Sequence, residues 1–111
     1  MIDRDRYHLQ TILKLIDLIR AHLDGVTQAG FVEDSNISDA TAYRIQHIGE
    51  GAHRLSADLK KRHPDLPWQS IVGTRKFLAH EYESVSPTRL WLIAVERLPI
   101  IEAMCRAELG E

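Results

Sequence analysis

Arg75, His80 and Tyr82 lie close together in the segment RKFLAHEY and carry three side chains that can take part in chemistry. Arginine presents a rigid fork of donors that matches the oxygens of a phosphate. Histidine can accept or release a proton near neutral pH. A permanent cation and a proton-transfer group together are the minimum set for cleaving a phosphodiester without a metal ion. The segment therefore points to phosphodiester chemistry.

The spacing of the three residues limits how one helix could present them. At about 100° per residue, Arg75 and Tyr82 share nearly the same azimuth, whereas His80 lies roughly 140° around the helix from Arg75. Either the helix ends near His80, or a second subunit completes the site. A simpler alternative is that His80 and Tyr82 are ordinary residues at a helix end, where a protonated histidine suits the helix dipole.

Four helices are predicted to position this segment, and their apolar residues recur at helical spacing. The first is expected from about Asp5 to His22 or Leu23. Residues 26–36 are polar and are expected to form a loop or one short turn. The second helix is predicted to begin near Ser38 or Asp39 and to continue without a break to Arg62.

The third and fourth helices each begin at a proline, which suits the first helical turn. The third starts near Pro67 or Trp68 and runs into the segment that contains Arg75. Ser86 and Pro87 open the fourth, and Pro99 should bend it because proline removes a backbone donor. No alternating strand pattern competes, so the sequence predicts an all-α helical bundle.

Composition limits the class of protein. The 111 residues are 44% hydrophobic and 27% charged, which is typical of one folded domain, here residues 1–111. A net charge of −2 and a pI near 6.3 argue mildly against a general nucleic-acid binder, which is usually basic. The lone Cys105, the charged N-terminus and the short apolar runs predict no disulfide, secretory signal or membrane span. We therefore expect a cytoplasmic protein that does not enter a membrane.

Basic residues are nevertheless clustered locally. The run from Lys60 to His63 precedes Arg75 and Lys76. Such a patch could hold a few nucleotides even on a mildly acidic protein. It could equally be the solvated last turn of a helix, where lysine and arginine are favoured.

A metal site is the other chemistry that the sequence invites. His47, Glu50 and His53 are spaced three apart, but the two histidines then lie about 120° from sharing one helix face. Zinc-binding histidines on a helix are normally four apart. We therefore expect no metal ion and no cofactor.

Three ordered segments resemble the HepT-like toxins of the HEPN superfamily. Residues 45–52, IQHIGEGA, resemble the family signature L-x-I-I-G-E-A-A. Residues 63–75, HPDLPWQSIVGTR, resemble the run H-P-x-I-P-W-x-x-I-x-G-x-R. The match continues through Arg75, His80 and Tyr82, which fit the family's R-x4-H-x-Y motif, and it spans roughly residues 5–105.

The resemblance implies an antiparallel four-helix, HEPN-like bundle that forms a homodimer and joins two R-x4-H segments across a cleft. It implies metal-independent endoribonuclease activity on RNA, with Arg75 and His80 as catalytic residues and a 2′,3′-cyclic phosphate as product. It also implies the toxin of a type VII-like toxin–antitoxin pair. The antitoxin of such a pair is a minimal nucleotidyltransferase (MNT) that transfers AMP to the motif tyrosine, here Tyr82.

Lys76 departs from the family pattern, because relatives commonly carry a small polar residue there. Lys76 could weaken catalysis or add affinity for phosphate. Glu50, in the recurring G-E signature, is a second candidate cleft residue, although its azimuth on the helix is equally consistent with solvent. An alternative function is a noncatalytic HEPN module that assembles with a nucleotidyltransferase partner. The acidic pI and Lys76 favour that alternative.

Overall fold

The computed structural model describes residues 2–111, apart from the side chain of Tyr82. Helices account for most of this range and no strand occurs in it, which confirms the predicted all-α class. The elements in chain order are α1 (Asp3–Leu23), α2 (Gln28–Glu33), α3 (Ser35–His53), α4 (Ala57–Arg62), α5 (Trp68–Glu81), a 3₁₀ turn (Tyr82–Ser84), α6 (Pro87–Leu92), a π-helical turn (Ile93–Arg97) and α7 (Leu98–Leu109).

The long helices run antiparallel to their neighbours. Near the start of α1, Asp5 contacts Ser56 beyond the end of α3, whereas Arg20 near the end of α1 contacts Glu102 of α7. Arg75 of α5 contacts Glu50 of α3. Their apolar faces meet in one core; its fully buried members from α1 and α3 include Leu9, Ile12, Ile16, Ile48 and Ala52. The predicted helical periodicity therefore identified the faces that pack.

The second predicted helix is wrong in its length, because the chain breaks between His53 and Ala57. Ser56 has an extended backbone and caps α4, accepting a hydrogen bond from the Leu59 N–H at 3.2 Å. Its own N–H and hydroxyl donate to the two carboxylate oxygens of Asp5 at 2.8 and 2.6 Å. Asp5 is only 2% exposed. A contact from α1 thus stabilises a corner that the continuing apolar pattern concealed.

Residues 26–36, predicted to form a loop or one short turn, contain the short helix α2. Thr27 caps it by accepting a hydrogen bond from the Gly30 N–H at 3.1 Å. Phe31 is fully buried and packs against Trp91 of α6, with ring centroids 5.4 Å apart. The next helix also starts earlier than predicted, at Ser35, because the Asp34 carboxylate caps it.

The last predicted helix is interrupted by a π-helical turn next to Pro99, the residue at which the sequence predicted a bend. Ser86 caps α6 and Pro87 occupies its first turn. The turn Ile93–Arg97 is π-helical and directly precedes α7, in which Pro99 lies at the start. Proline cannot donate to the carbonyl four residues before it, and a wider turn accommodates that lost bond. Within residues 2–111, no helix combines the length and apolar character needed to cross a membrane.

Candidate functional site

Gly49 brings α3 and α5 into close contact at Arg75. A Cβ atom at position 49 would lie 3.1 Å from the Cβ and the backbone nitrogen of Arg75, and 3.2 Å from the carbonyl oxygen of Ile71. Only glycine leaves room for this approach without a shift of backbone. The close crossing fixes where the Arg75 side chain leaves α5, so the glycine of the G-E pair positions the motif arginine.

Glu50 is the partner of Arg75. The guanidinium Nη1 donates to Glu50 Oε1 at 3.1 Å, and the side chains are 20% and 35% exposed. Arg75 Nε is buried and has no hydrogen-bond partner in residues 2–111. The sequence left the role of Glu50 open between solvent and cleft. In the structure its carboxylate orients the guanidinium, while part of that guanidinium stays accessible.

Arg75 and Glu50 form one wall of a polar groove of about 410 Å³, which we call the Arg75 groove. Its other walls come from the start of α1, the end of α3 and the corner that leads into α4. The lining residues are Arg4, His8, Glu50, His53, Arg54, Leu55, Ser56, Ala57 and Arg75.

Arg4, His8 and Arg54 are groove residues that sequence reasoning missed. Arg54 lies one helical turn after Glu50, so its place on the same face of α3 could have been inferred from spacing alone. Arg4 and His8 are four residues apart and share a face of α1, but only tertiary packing brings that face to α3. No local motif marks them.

The groove is rich in positive charge. Its lining contains three arginines and one carboxylate, that of Glu50. Burial, followed by the nearby charges of Arg54 and Arg4, lowers the pKa of His8, and these effects outweigh the opposing carboxylate of Asp5. In the described part of the chain, neither the Arg4 nor the Arg54 guanidinium has a hydrogen bond or ion pair. Such a site favours an anion.

His80 does not join Arg75 in this groove. The helix α5 stays regular through Glu81, so the angular offset between the two residues persists within it. His80 is exposed and is not among the residues that line the groove. Lys76 is also exposed and outside the lining. One chain therefore brings Glu50 to Arg75 but leaves His80 and Lys76 elsewhere; the side chain of Tyr82 lies outside the described residues.

The basic run that ends α4 is largely satisfied by its own neighbours. Arg62 Nη2 and His63 Nε2 contact the two carboxylate oxygens of Glu108, each at 2.6 Å. We call Arg62, His63 and Glu108 the Glu108 cluster. Hydrogen bonds from Arg62, and then from His63, lower the pKa of Glu108 to about 2. Lys60 bonds the carbonyl of His53 and lies over the ring of Trp68. Most of the basic run predicted from sequence therefore makes contacts within the protein.

Known proteins share this chain's sequence pattern over most of its length. The family described as ribonuclease HepT-like matches residues 12–108. A candidate RNase of Caldanaerobacter subterraneus subsp. tengcongensis is 28% identical over 97 residues, which cover 87% of each protein. A protein of Thermococcus cleftensis named "Probable ribonuclease HepT" is 27% identical over 95 residues, or 86% of each. A candidate RNase of Methanocaldococcus jannaschii is 31% identical over 72 residues, covering 65% of this chain and 66% of that protein.

No solved structure matches the chain significantly. The residues matched by the family, 12–108, contain Gly49, Glu50, Arg75 and His80. The resemblance indicated by the three sequence motifs is therefore confirmed. The chain belongs to the HepT-like ribonuclease family.

Proposed function

We propose that this protein is a metal-independent endoribonuclease in which Arg75 binds the scissile phosphate and His80 transfers protons. The observation that carries the proposal is the Arg75–Glu50 pair at the edge of a positively charged groove. Because Glu50 holds Nη1 and Nε is buried, Nη2 would be the guanidinium nitrogen that contacts phosphate oxygens. Arg75 would then stabilise the charge that develops on those oxygens in the transition state.

The reaction needs a second chain. The exposed His80 can reach a substrate outside the Arg75 groove, and a homodimer would place a second copy of this face opposite the first. One His80 would take the proton from the ribose 2′-hydroxyl, whose oxygen attacks phosphorus. His80 of the partner subunit would give a proton to the leaving 5′-oxygen. The bond from phosphorus to that 5′-oxygen breaks, and the products are a 2′,3′-cyclic phosphate and a 5′-hydroxyl.

The biological setting that we propose is a cytoplasmic toxin–antitoxin pair of the type VII-like kind. An MNT-family antitoxin would attach AMP to the hydroxyl of Tyr82. The added phosphates and nucleosides would repel and occlude RNA near Arg75, because like charges and bulk would occupy the approach to the site. Family membership and the position of Tyr82 just after α5 support this part of the proposal.

RNA cleavage in the presence of EDTA tests the enzymatic proposal. Wild-type protein should cut RNA and leave 2′,3′-cyclic phosphate ends, which mass spectrometry of the fragments identifies. His80→Ala should lose about 10²- to 10⁴-fold in rate, the usual contribution of a general acid or base. Its exposed position predicts an unchanged fold, which circular dichroism checks. Intact RNA with the wild-type protein, or equal cutting by the variant, would contradict the proposal.

AMPylation is tested with the antitoxin. An MNT-family nucleotidyltransferase, incubated with this protein and ATP, should add multiples of the AMP mass and stop RNA cleavage. Tyr82→Phe removes the acceptor oxygen and should prevent both effects. Modification of the Phe variant would mean that another residue is the acceptor.

A noncatalytic module that assembles with a nucleotidyltransferase is the second candidate. The observation that favours it is the separation of His80 from the groove that contains Arg75. In a single chain, the groove that Arg75 lines does not contain the proton-transfer group His80. Stable binding of the nucleotidyltransferase, together with intact RNA and a monomer in sedimentation experiments, would select this function.

A further inference from the structure

We propose that the Arg75 groove binds a second backbone phosphate of a single-stranded RNA through Arg4 and Arg54, beside the phosphate that reacts. The substrate class in this inference rests on the proposed function. The groove would then hold the strand in register while Arg75 contacts the scissile phosphate. Phosphate contacts of this kind set position rather than sequence preference.

Three separate segments converge on the groove. Arg4 and His8 come from the first turns of α1, Arg54 follows α3, and Arg75 projects from α5. The hydrogen bonds from Ser56 to the carboxylate of Asp5 hold the α1 wall against the corner that carries Arg54. The cations are thus fixed on a packed frame, although their guanidinium groups remain exposed.

The positive charges of Arg4 and Arg54 are not neutralised by any carboxylate in the described residues. Glu50 is engaged by Arg75, and the Asp5 carboxylate accepts two hydrogen bonds from Ser56. Arg4 and Arg54 have no ion pair in residues 2–111. Two adjacent unpaired guanidiniums repel each other, and an anion between them would relieve that repulsion while it gains charge-assisted hydrogen bonds.

The groove lies on the side of Arg75 that faces away from His80, where a bound RNA strand would continue. Because α3 and α5 are antiparallel, Arg54 is displaced from Glu50 towards the N-terminal end of α5. His80 lies in the opposite direction, about 7.5 Å along the axis of α5 from Arg75. Arg75 therefore stands between the proton-transfer group and the groove. A strand whose scissile phosphate contacts Arg75 would continue into the space between Arg4 and Arg54.

An exposed aromatic ring beside the groove favours nucleic acid over a small anion. Tyr7 is 64% exposed, and its ring meets that of His8 edge to face, with centroids 5.1 Å apart. Grooves for single-stranded nucleic acids combine cations that follow the backbone with aromatic faces on which bases stack. Tyr7 offers such a face next to the cations of α1.

Binding of a labelled RNA measures the contribution of the two arginines. The protein is the full chain carrying His80→Ala, which preserves the RNA, and the probe is a fluorescent single-stranded RNA of about 12 nucleotides and random sequence. Adding Arg4→Gln and Arg54→Gln should weaken binding about 10- to 100-fold at low salt, since each loses a charge-assisted contact. The salt slope of log K should become shallower by about 0.7, because the two arginines together neutralise one phosphate.

The matched control is Arg6→Gln with Lys61→Gln. It removes the same charge from exposed positions outside the groove. We expect it to weaken binding by less than about threefold, because only the long-range field changes. Arg4→Lys with Arg54→Lys should keep the salt slope, since both charges remain. Equal losses in the glutamine pair and the control, or no loss in either, would overturn the proposal.

His8 reports occupancy without any substitution in the groove. Its signals in a pH titration followed by NMR should show a higher pKa when RNA binds, because a nearby phosphate stabilises the imidazolium. The groups that act on His8 in the free protein are Arg54, Arg4 and Asp5. The signals of His22, at the far end of α1, should move little. An unchanged His8 titration with RNA bound would also overturn the proposal.

The outcomes separate this inference from the proposed function. Cleavage by the wild-type protein, combined with binding that ignores Arg4 and Arg54, would retain the nuclease and remove the groove. Binding that depends on both arginines, without cleavage, would retain the groove and remove the nuclease. Failure of the wild-type chain to bind RNA at all would overturn the groove as an RNA site.

Discussion

The Arg75 groove and the Glu108 cluster both contain arginine and histidine. The cluster pairs its arginine and histidine with a carboxylate, whereas two of the arginines in the groove are unpaired. In the Glu108 cluster, one carboxylate that is 11% exposed accepts hydrogen bonds from Arg62 and His63. In the groove, Arg4 and Arg54 remain unpaired among the described residues. The cluster closes the bundle by joining the end of α4 to α7. The groove retains unpaired positive charge, which the proposed RNA phosphate would neutralise.

The comparison shows that a run of basic residues in the sequence does not predict where unpaired positive charge lies in the structure. The longest basic run, from Lys60 to His63, is the more conspicuous in sequence, but the fold supplies Glu108 and Trp68 to engage most of it. The cations of the groove are scattered singly over residues 4 to 75. An unpaired cation is a better indicator of an anion site than a run of cations.

The largest expected difference between the two regions concerns RNA cleavage. Arg75→Ala should lower the rate about 10²- to 10³-fold, the usual effect of removing one donor to a developing oxyanion. Arg62→Ala should leave the rate within about twofold, because Arg62 pairs with Glu108, outside the groove. Initial rates with EDTA present measure both. Similar losses in the two variants would remove the distinction between the regions.

The corner that forms the groove wall gives the next largest effect. Asp5→Ala should cost about 2–3 kcal/mol of unfolding free energy, because it removes two hydrogen bonds and leaves the Ser56 donors without their acceptor. RNA binding should weaken as the wall shifts. Urea denaturation measures the stability. Asp3→Ala, an exposed change in the same first turn, should cost less than about 1 kcal/mol; equal costs would show that the corner contributes little.

Two glycines test the close crossing at the edge of the groove, with opposite expected signs. Gly49→Ala should destabilise the protein by about 1–2 kcal/mol net, since overpacking against Arg75 and Ile71 outweighs the better helix propensity of alanine. A Cβ at Gly73 would meet nothing within 4 Å, so Gly73→Ala should stabilise by about 0.5–1 kcal/mol. Thermal and urea denaturation of the two variants measures these changes in stability. Changes of the same sign would contradict a close crossing at Gly49.

The smallest effect is the pH dependence of the Glu108 cluster. Arg62 and His63 depress the pKa of Glu108 from 4.5 to about 2 in the folded state. Its contribution to stability is therefore present above the unfolded value of 4.5 and is lost as the pH falls towards 2. The stability difference between wild type and Glu108→Gln, of the order of 1 kcal/mol at neutral pH, should shrink over that range.

Denaturation at a series of acidic pH values measures that difference. Glu33→Gln is the control, because Glu33 is an exposed residue at the end of α2 with no ion pair in the described structure. It should change stability by less than about 0.5 kcal/mol at every pH. A constant difference for Glu108→Gln from neutral to acidic pH would mean that the pairing is not what lowers its pKa.

Much of the fold could be predicted from sequence because the local signals were strong. The apolar spacing placed α1, prolines and the capping residue Ser86 placed the starts of α5 and α6, and Pro99 marked the π-helical interruption in the last helix. The break at Ser56 was missed because the apolar pattern continues through it, and the contact that stabilises the corner comes from Asp5, far away in sequence. Phe31 likewise stabilises α2 only because Trp91, distant in sequence, packs against its ring.

The candidate site was likewise only partly predictable from the sequence. The sequence by itself determined which residues could do the chemistry, since Arg75, His80 and Tyr82 carry their donors, acceptors and spacing wherever the helix lies. It also determined the helical face on which Glu50 and Arg54 stand. Only the tertiary structure decided that Glu50 meets Arg75, that Arg4 and His8 join Arg54, and that Glu108 engages Arg62 and His63. Helical periodicity fixes neighbours along one element, whereas a charge becomes paired or free only when packing sets the distances between elements.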